Sequence, residues 1–274
     1  MADPASTGSG FREAFVAPGG DDPSAETPWG DCFEVDGGNG VAIPLLQITG
    51  KDFLIGGTIR YTGDMGLDGF DDITDEMKEQ ARTIDAAGLG KSDLASVPQF
   101  LRWFVGPYGR HTPAALIHDN LIEGSTPNGG VLEDDSASDR YFRFMLHSVK
   151  VPFTKRWIMW AATAMRTRWA VGGLRRASMV LWGLLAVIGI SAAVMATVAL
   201  VGGGDLPGDA EEAPVLVGAV LLAVLSGALW GKQWGAGVVA AAAAPWLLPP
   251  TIIAVVGYLV YWAIERLLRA FGIE

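Results

Sequence analysis

From Ala177 to Val201 the chain runs for 25 residues without a charged side chain. As a helix at about 1.5 Å per residue, this run is roughly 37 Å long, enough to cross a bilayer core of about 30 Å with some tilt. A core helix of that length with no polar face would be out of place in a chain of 274 residues. The run therefore predicts a transmembrane helix, and the remaining sequence has to be arranged around it.

Two further apolar runs follow. Pro214–Trp230 has 17 residues, near the lower limit for a span, and its proline suits a first helical turn. Gly235–Ala263 has 29 residues and holds Pro245, Pro249 and Pro250. It reads either as one kinked span or as two half-helices turning at Pro249-Pro250, because proline removes a backbone donor. The single kinked span is the favoured reading. The expected membrane domain is thus all-α, residues 177–274, with about three spans at 177–201, 214–230 and 235–263.

Charge is divided as sharply as hydropathy. Residues 1–150 hold 24 Asp/Glu against 11 Lys/Arg, whereas residues 151–274 hold 6 against 9. An acidic soluble part therefore precedes the membrane part, and its net charge of −13 argues against nucleic acid as a partner. Lys155, Arg156, Arg166, Arg168, Arg175 and Arg176 come just before the first span with no acid among them. By the positive-inside rule they place residues 1–176 in the cytoplasm. The loop 202–213 has Asp205, Asp209, Glu211 and Glu212 and no basic residue, which suits the outside, and Lys232 returns to the inside. A single third span then leaves the C-terminal end outside. The expected localisation is a multi-pass cell-membrane protein with the lipid bilayer as partner. The first residues show no basic-then-apolar leader, and Cys32 is the single cysteine, so the soluble part suits a reducing compartment.

Residues 153–176 read as a basic amphipathic helix with Trp157 and Trp160 on one face. It suits a membrane surface. It equally suits the last core helix of the soluble domain, and both readings stand. Residues 1–30 have a disordered composition. Residues 31–152 read as an α+β domain, a small β element followed by a helical block. Its strand-like runs are Val41–Ile48 and Phe53–Tyr61. Its helices are expected at Glu76–Ala87, from Pro98 toward Val105, from Thr112-Pro113 to Glu123, and from about Ser136 to Lys150.

All three histidines lie in the helical block. His118 is followed by Asp119 within one helix. Neighbouring helical residues point about 100° apart, so the two cannot pair with each other, but they could serve one cleft edge. An acid from elsewhere would have to orient the imidazole, and the candidates are Asp93 and Asp139. Imidazole with two carboxylates suits a general base or a divalent metal ion, with His118 and Asp119 as ligands. The plainer readings are a hydrogen-bonded core histidine at 118, a capping box or an ion pair with Arg143 for Asp139, and a turn cap for Asp93. His111 and His147 are expected to be structural. The sequence has no P-loop, no cysteine pair for zinc, no His-Glu-x-x-His and no Gly-x-Ser-x-Gly.

Four segments together resemble a known family. Ser92-Asp-Leu-Ala-Ser-Val-Pro98, Ala114-Ala-Leu-Ile-His-Asp-Asn-Leu121, Ser138-Asp-Arg-Tyr-Phe142 and Arg156-Trp-Ile-Met-Trp-Ala161 are similar, in order and spacing, to the phage- and prophage-associated Domain of Unknown Function 1353 family. The resemblance spans about residues 40–165. Ser92 stands where Thr is usual, Ile122 where Tyr is common, and residues 71–90 read as an insertion. The membrane domain is no part of that pattern, and the family implies no established activity. His118-Asp-Asn and Ser138-Asp-Arg are also similar to secreted phospholipases A2. That similarity implies His118 as the base, Asp119 as a calcium ligand and Asp139 as the orienting acid. The disulfides and the glycine-rich calcium loop of that fold are missing here.

Three functions are thus in play. One is a membrane-anchored hydrolase dependent on His118, Asp119 and Asp139 or Asp93. The second is a non-enzymatic module that holds a phage or host protein at the membrane. The third is a permeabilising protein, which the few polar residues within the spans (Ser191, Thr197 and Ser226) do little to support.

Overall fold

The computed structural model describes residues 32–36, 43, 45–47, 53–68, 70–84, 104–106, 109–123, 132, 135–203, 206 and 211–271. The 1–30 tail, the segment around Asp93 and the expected Pro98 helix start lie outside these residues. The chain divides into two compact units, 1–97 with 106–156, and 98–105 with 157–274.

The first unit opens with short strands. β1 (Phe33–Asp36), β4 (Thr58–Tyr61) and β5 (Thr83–Ile84) form an antiparallel sheet with β4 in the centre. β2 (Leu45–Gln47) and β3 (Phe53–Ile55) form a separate antiparallel pair. Along β1 and β4 the side chains alternate. Phe33, Val35, Ile59 and Tyr61 are buried while Glu34, Asp36 and Arg60 face out, as the two-residue period of a strand requires. The expected run Phe53–Tyr61 is split into β3 and β4 at Gly56-Gly57.

Helix α1 (Asp75–Ala81) starts at Thr74, whose hydroxyl accepts from Met77 N–H at 3.2 Å. It stops six residues short of the expected Ala87. The chain instead returns to the sheet, where Ile84 pairs with Ile59 and Tyr61 N–H donates to Arg82 O at 2.9 Å. Thr83 and Ile84 are β-branched, and burying Ile84 on the open edge of β4 outweighs a further helical turn.

Helix α2 (Thr112–Glu123) packs on helix α3 (Asp135–Ser148). α2 is buried on nearly every side, through Ala114, Ala115, Leu116, Ile117 and Leu121. Thr112 Oγ1 accepts from Gly109 N–H at 2.9 Å and fastens the preceding turn. The α3 residues Tyr141, Met145 and Leu146 complete the core, and the Tyr141 ring stands 5.5 Å from that of Tyr61, joining helix to sheet. At its end α3 turns on Lys150, a left-handed non-glycine residue (φ 58°), while Val151 N–H returns to Leu146 O at 3.0 Å.

The second unit consists of long helices. α4 (Phe153–Val171) enters it from Trp157 onward and is followed by α5 (Gly173–Gly202), α6 (Glu212–Ser226), a 3₁₀ turn (Gly227–Gln233) and α7 (Trp234–Ala270). α5 and α6 run antiparallel. Gly189 faces Ala219 and Leu222, while Ala196 and Ala199 pack with Val215 and Leu216. Trp160, Ala161 and Ala164 of α4 lie with Trp182, Ala186, Trp230, Ala236 and Ala241 in the core of this second unit. The Trp160 face of α4 is thus buried against the apolar helices.

Two stretches are long and apolar enough to cross a membrane, Gly173–Gly202 and Glu212–Ala270. In each, only 22% of the most apolar 18-residue window is buried, so neither is the enclosed core helix of a soluble fold. The second stretch is broken once, at Gly231 (φ 58°, ψ −124°). A Cβ at Gly237 would lie only 3.1 Å from Gly227 Cα. Ten residues of continuous helix would separate these positions by about 15 Å, so the chain folds back sharply there. α7 continues as one helix through Pro245, Pro249 and Pro250 and does not turn at the proline pair.

Candidate functional site

The site is built where α3 crosses α2. Ala114, His118, Leu121 and Ile122 share one face of α2 through the helical period, which carries the imidazole into the interface. On α3, Ser138, Asp139, Tyr141 and Phe142 are buried. His118 Nε2 lies 2.8 Å from Asp139 Oδ1, and the two side chains are 4% and 0% exposed. A carboxylate only accepts, so Nε2–H is the donor, and in the neutral ring the remaining lone pair is on Nδ1. Phe142 packs against the imidazole with 4.8 Å between ring centres. The ring is therefore held by one hydrogen bond and one aromatic contact.

Asp119 is also buried, at 7% exposure, on the neighbouring face of α2. Of the four residues expected to converge, the described chain brings His118 and Asp139 together with Asp119 beside them. Asp93 lies outside the described residues. No group of three or more His, Cys, Asp and Glu side chains that could hold a metal ion occurs among the described residues.

The other histidines are separate from this pair. His111 Nε2–H donates to Gly106 O at 3.1 Å. Burial, with the Lys155 cation adding to it, holds its pKa below the ordinary histidine value. His147 is exposed in the last turn of α3.

Two hydroxyls that the sequence does not mark as special stand out beside the pair. Ser138 Oγ and Tyr141 Oη are buried with no hydrogen-bond partner among the described residues. Burial drives the Tyr141 phenol well above its ordinary pKa, so it stays protonated. Tyr61 differs, since its hydroxyl lies 2.7 Å from Ser148 Oγ and donates to Asp64 O at 2.9 Å. The only sequence signal for Ser138 is its place beside Asp139 in the Ser138-Asp-Arg-Tyr-Phe142 segment.

Residues 72–163 match the family described as "Protein of unknown function (DUF1353)". The matched segment contains α1, β5, α2, α3 and the first part of α4, and so includes His118, Asp119 and Asp139. It starts later than the resemblance read from the sequence, leaving β1 to β4 outside, and it includes residues 72–90, expected as an insertion. Neither the curated proteins nor the solved structures contain a match to this chain.

Proposed function

We propose that this chain is a multi-pass membrane protein whose cytoplasmic domain carries a His118–Asp139 dyad for hydrolysing an ester at the membrane surface. The observation that carries the reading is the 2.8 Å bond from His118 Nε2 to a fully buried Asp139 carboxylate. Such a bond fixes tautomer and ring orientation together. With Asp139 holding Nε2–H, Nδ1 takes a proton from water as the oxygen attacks the ester carbonyl. The same proton then passes to the departing alkoxide, giving an acid and an alcohol. Asp119 adds negative charge at the next helical position and stabilises the imidazolium that forms.

Membrane anchoring is supported by the two long apolar stretches and their low burial. The reading takes the Gly231 break as dividing the second stretch into two crossings, three in all, with Lys232 inside and the acidic 202–213 loop outside. The lipid bilayer is then the constant partner, and nucleic acid is none. The phage and prophage setting comes from the family resemblance.

A second reading is favoured by the burial of the imidazole itself. A ring enclosed this completely would pin α2 to α3 in a domain that recruits a phage or host protein. One experiment separates the two. The full chain is reconstituted in vesicles carrying a fluorogenic acyl phospholipid, and His118→Gln and Asp139→Asn are compared with the parent. The hydrolase reading expects turnover to fall by about 10²–10⁴-fold in His118→Gln while the melting temperature stays within a few degrees. No turnover by the parent on ester-bearing lipids, with both variants melting far lower, favours the pin. A double-mutant cycle on the pair should then give a coupling of about 1–3 kcal/mol.

A further inference from the structure

The core of the second unit encloses a cation that no carboxylate among the described residues cancels. Arg168 of α4 is 7% exposed. Its Nη1 donates to Trp230 O at 2.8 Å, and its Nη2 donates to Leu229 O at 3.1 Å and to Ser178 Oγ at 2.8 Å. All three acceptors are neutral. α4 from Trp157 onward, α5 and the 3₁₀ turn contain no Asp or Glu. Glu212 is at the far end of α6, about 22 Å of helix from the turn, and Glu265 is about 46 Å along α7. Neutral acceptors replace the hydration of a buried ion without neutralising it, and a buried ion without a counter-charge is strongly disfavoured.

Three N–H donors of this core have no acceptor among the described residues: Arg168 Nε, Trp182 Nε1 and Trp230 Nε1. Trp182 and Trp230 are 8% and 0% exposed. The three side chains are neighbours. The Arg168 guanidinium lies 5.5 Å from the centre of the Trp230 ring, and the Trp182 ring stands edge-on to that ring with 5.1 Å between centres. Buried polar groups are normally bonded, so three orphan donors around one uncancelled cation point to an acceptor that carries negative charge. Ala161, Ala164, Ala186 and Ala236 pack in the same cluster and offer no side-chain acceptor. A Cβ at Gly237 would come within 2.9 Å of Trp230 Cγ, so the indole is closely seated. Enclosure of this kind suits a small ion and excludes a lipid headgroup or a peptide.

We propose that Arg168, Trp182 and Trp230 form a site for a small monovalent anion of the halide class, held by Arg168 Nε–H and the two indole N–H groups. One negative charge cancels the one guanidinium, whereas a divalent anion would leave a net charge buried among apolar side chains. Arg168 already joins α4 to the 3₁₀ turn and to Ser178 of α5. An anion on its Nε adds Trp182 of α5 to the same knot, so halide binding stabilises the second unit by mass action. The inference is independent of the hydrolase reading.

The test holds the full chain in a neutral detergent with sodium gluconate and replaces gluconate by chloride at constant ionic strength. Two readouts follow the exchange, the broadening of the chloride NMR line and the melting temperature. Chloride should broaden saturably, bromide should reverse the broadening, and the melting temperature should rise by a few degrees. Trp182→Phe keeps an apolar ring and removes only the donor, and it should weaken chloride binding about tenfold, as should Trp230→Phe. Arg168→Gln should abolish the saturable broadening. It also cuts the ties to the turn, so Trp182→Phe decides the matter if the Arg168 and Trp230 variants do not fold. No saturable broadening in the parent, with equal melting in the two salts, overturns the site and leaves water as the acceptor. Saturable broadening that persists unchanged in Trp182→Phe also overturns it, because the ion is then bound elsewhere.

Discussion

Two tyrosines 5.5 Å apart give opposite expectations for the same atom. Both are fully buried. Tyr61 has its hydroxyl bonded to Ser148 and to Asp64 O, so Tyr61→Phe should cost about 1–2 kcal/mol. The Tyr141 hydroxyl is a buried donor without a partner among the described residues, and Tyr141→Phe should be neutral or stabilise by up to about 1 kcal/mol. Native-state hydrogen exchange on the α2 and α3 amides of the full chain reads both, and a loss at Tyr141 as large as that at Tyr61 would contradict the assignment. His111 supplies the pH dependence. Burial, with Lys155 adding to it, lowers its folded pKa below the ordinary value of about 6.5. Below that value the unfolded chain binds the proton more readily than the folded one. The stability His111 contributes is therefore complete above about pH 6.5 and is lost as pH falls toward the folded pKa. His111→Gln should flatten this part of the acid limb, and an unchanged slope would mean that another group sets it.

At the scale of elements, the decisive residue of the second unit is Gly231. Its φ of 58° with ψ of −124° is a conformation that L side chains rarely adopt, and a Cβ there would touch nothing within 4 Å. Gly231→Ala should therefore cost about 1–3 kcal/mol through backbone strain alone. Gly183, equally open but in the middle of α5, is the control, and Gly183→Ala should stabilise by about 0.5–1 kcal/mol. Thermal unfolding in detergent compares them, and equal effects would show that the turn does not depend on glycine. What the sequence made legible follows from which of these signals are local. Thr112-Pro113, the period of α3 and the length of α5 are written in neighbouring residues, and those helices lie within a few positions of expectation. The early end of α1 was not legible, because Thr83-Ile84 becomes a strand only through pairing with Ile59 and Arg60, more than twenty residues away. β1 was missed for the same reason, since four residues of alternation mean little without β4 beside them. The His118–Asp139 bond was legible as one choice among several, because helix spacing aims His118 into the interface but does not select its acid.

The molecule as a whole is organised by where its charges stand along its apolar length. α7 has 37 residues, about 55 Å, more than a bilayer core needs. From Trp234 to Tyr258 is about 36 Å of helix, and Tyr258, Tyr261 and Trp262 are all exposed, followed by Glu265, Arg266 and Arg269. Tryptophan and tyrosine gather at both faces of a membrane, so the proposed topology sets Trp234 at one face and Tyr258 to Trp262 at the other, a single crossing with modest tilt. The proposed topology then puts the charged end of α7 on the side opposite Lys232, the same side as Asp205, Asp209, Glu211 and Glu212. It is tested with single cysteines placed in a Cys32→Ser background at Ala210, Lys232 and Phe271, and a maleimide that cannot cross membranes, added to intact cells. Positions 210 and 271 should react at once, and position 232 only after permeabilisation. Labelling at 210 with protection at 271 would mean that α7 does not cross. Labelling at 232 in intact cells would invert the proposed orientation and overturn the proposed cytoplasmic placement of the domain bearing His118.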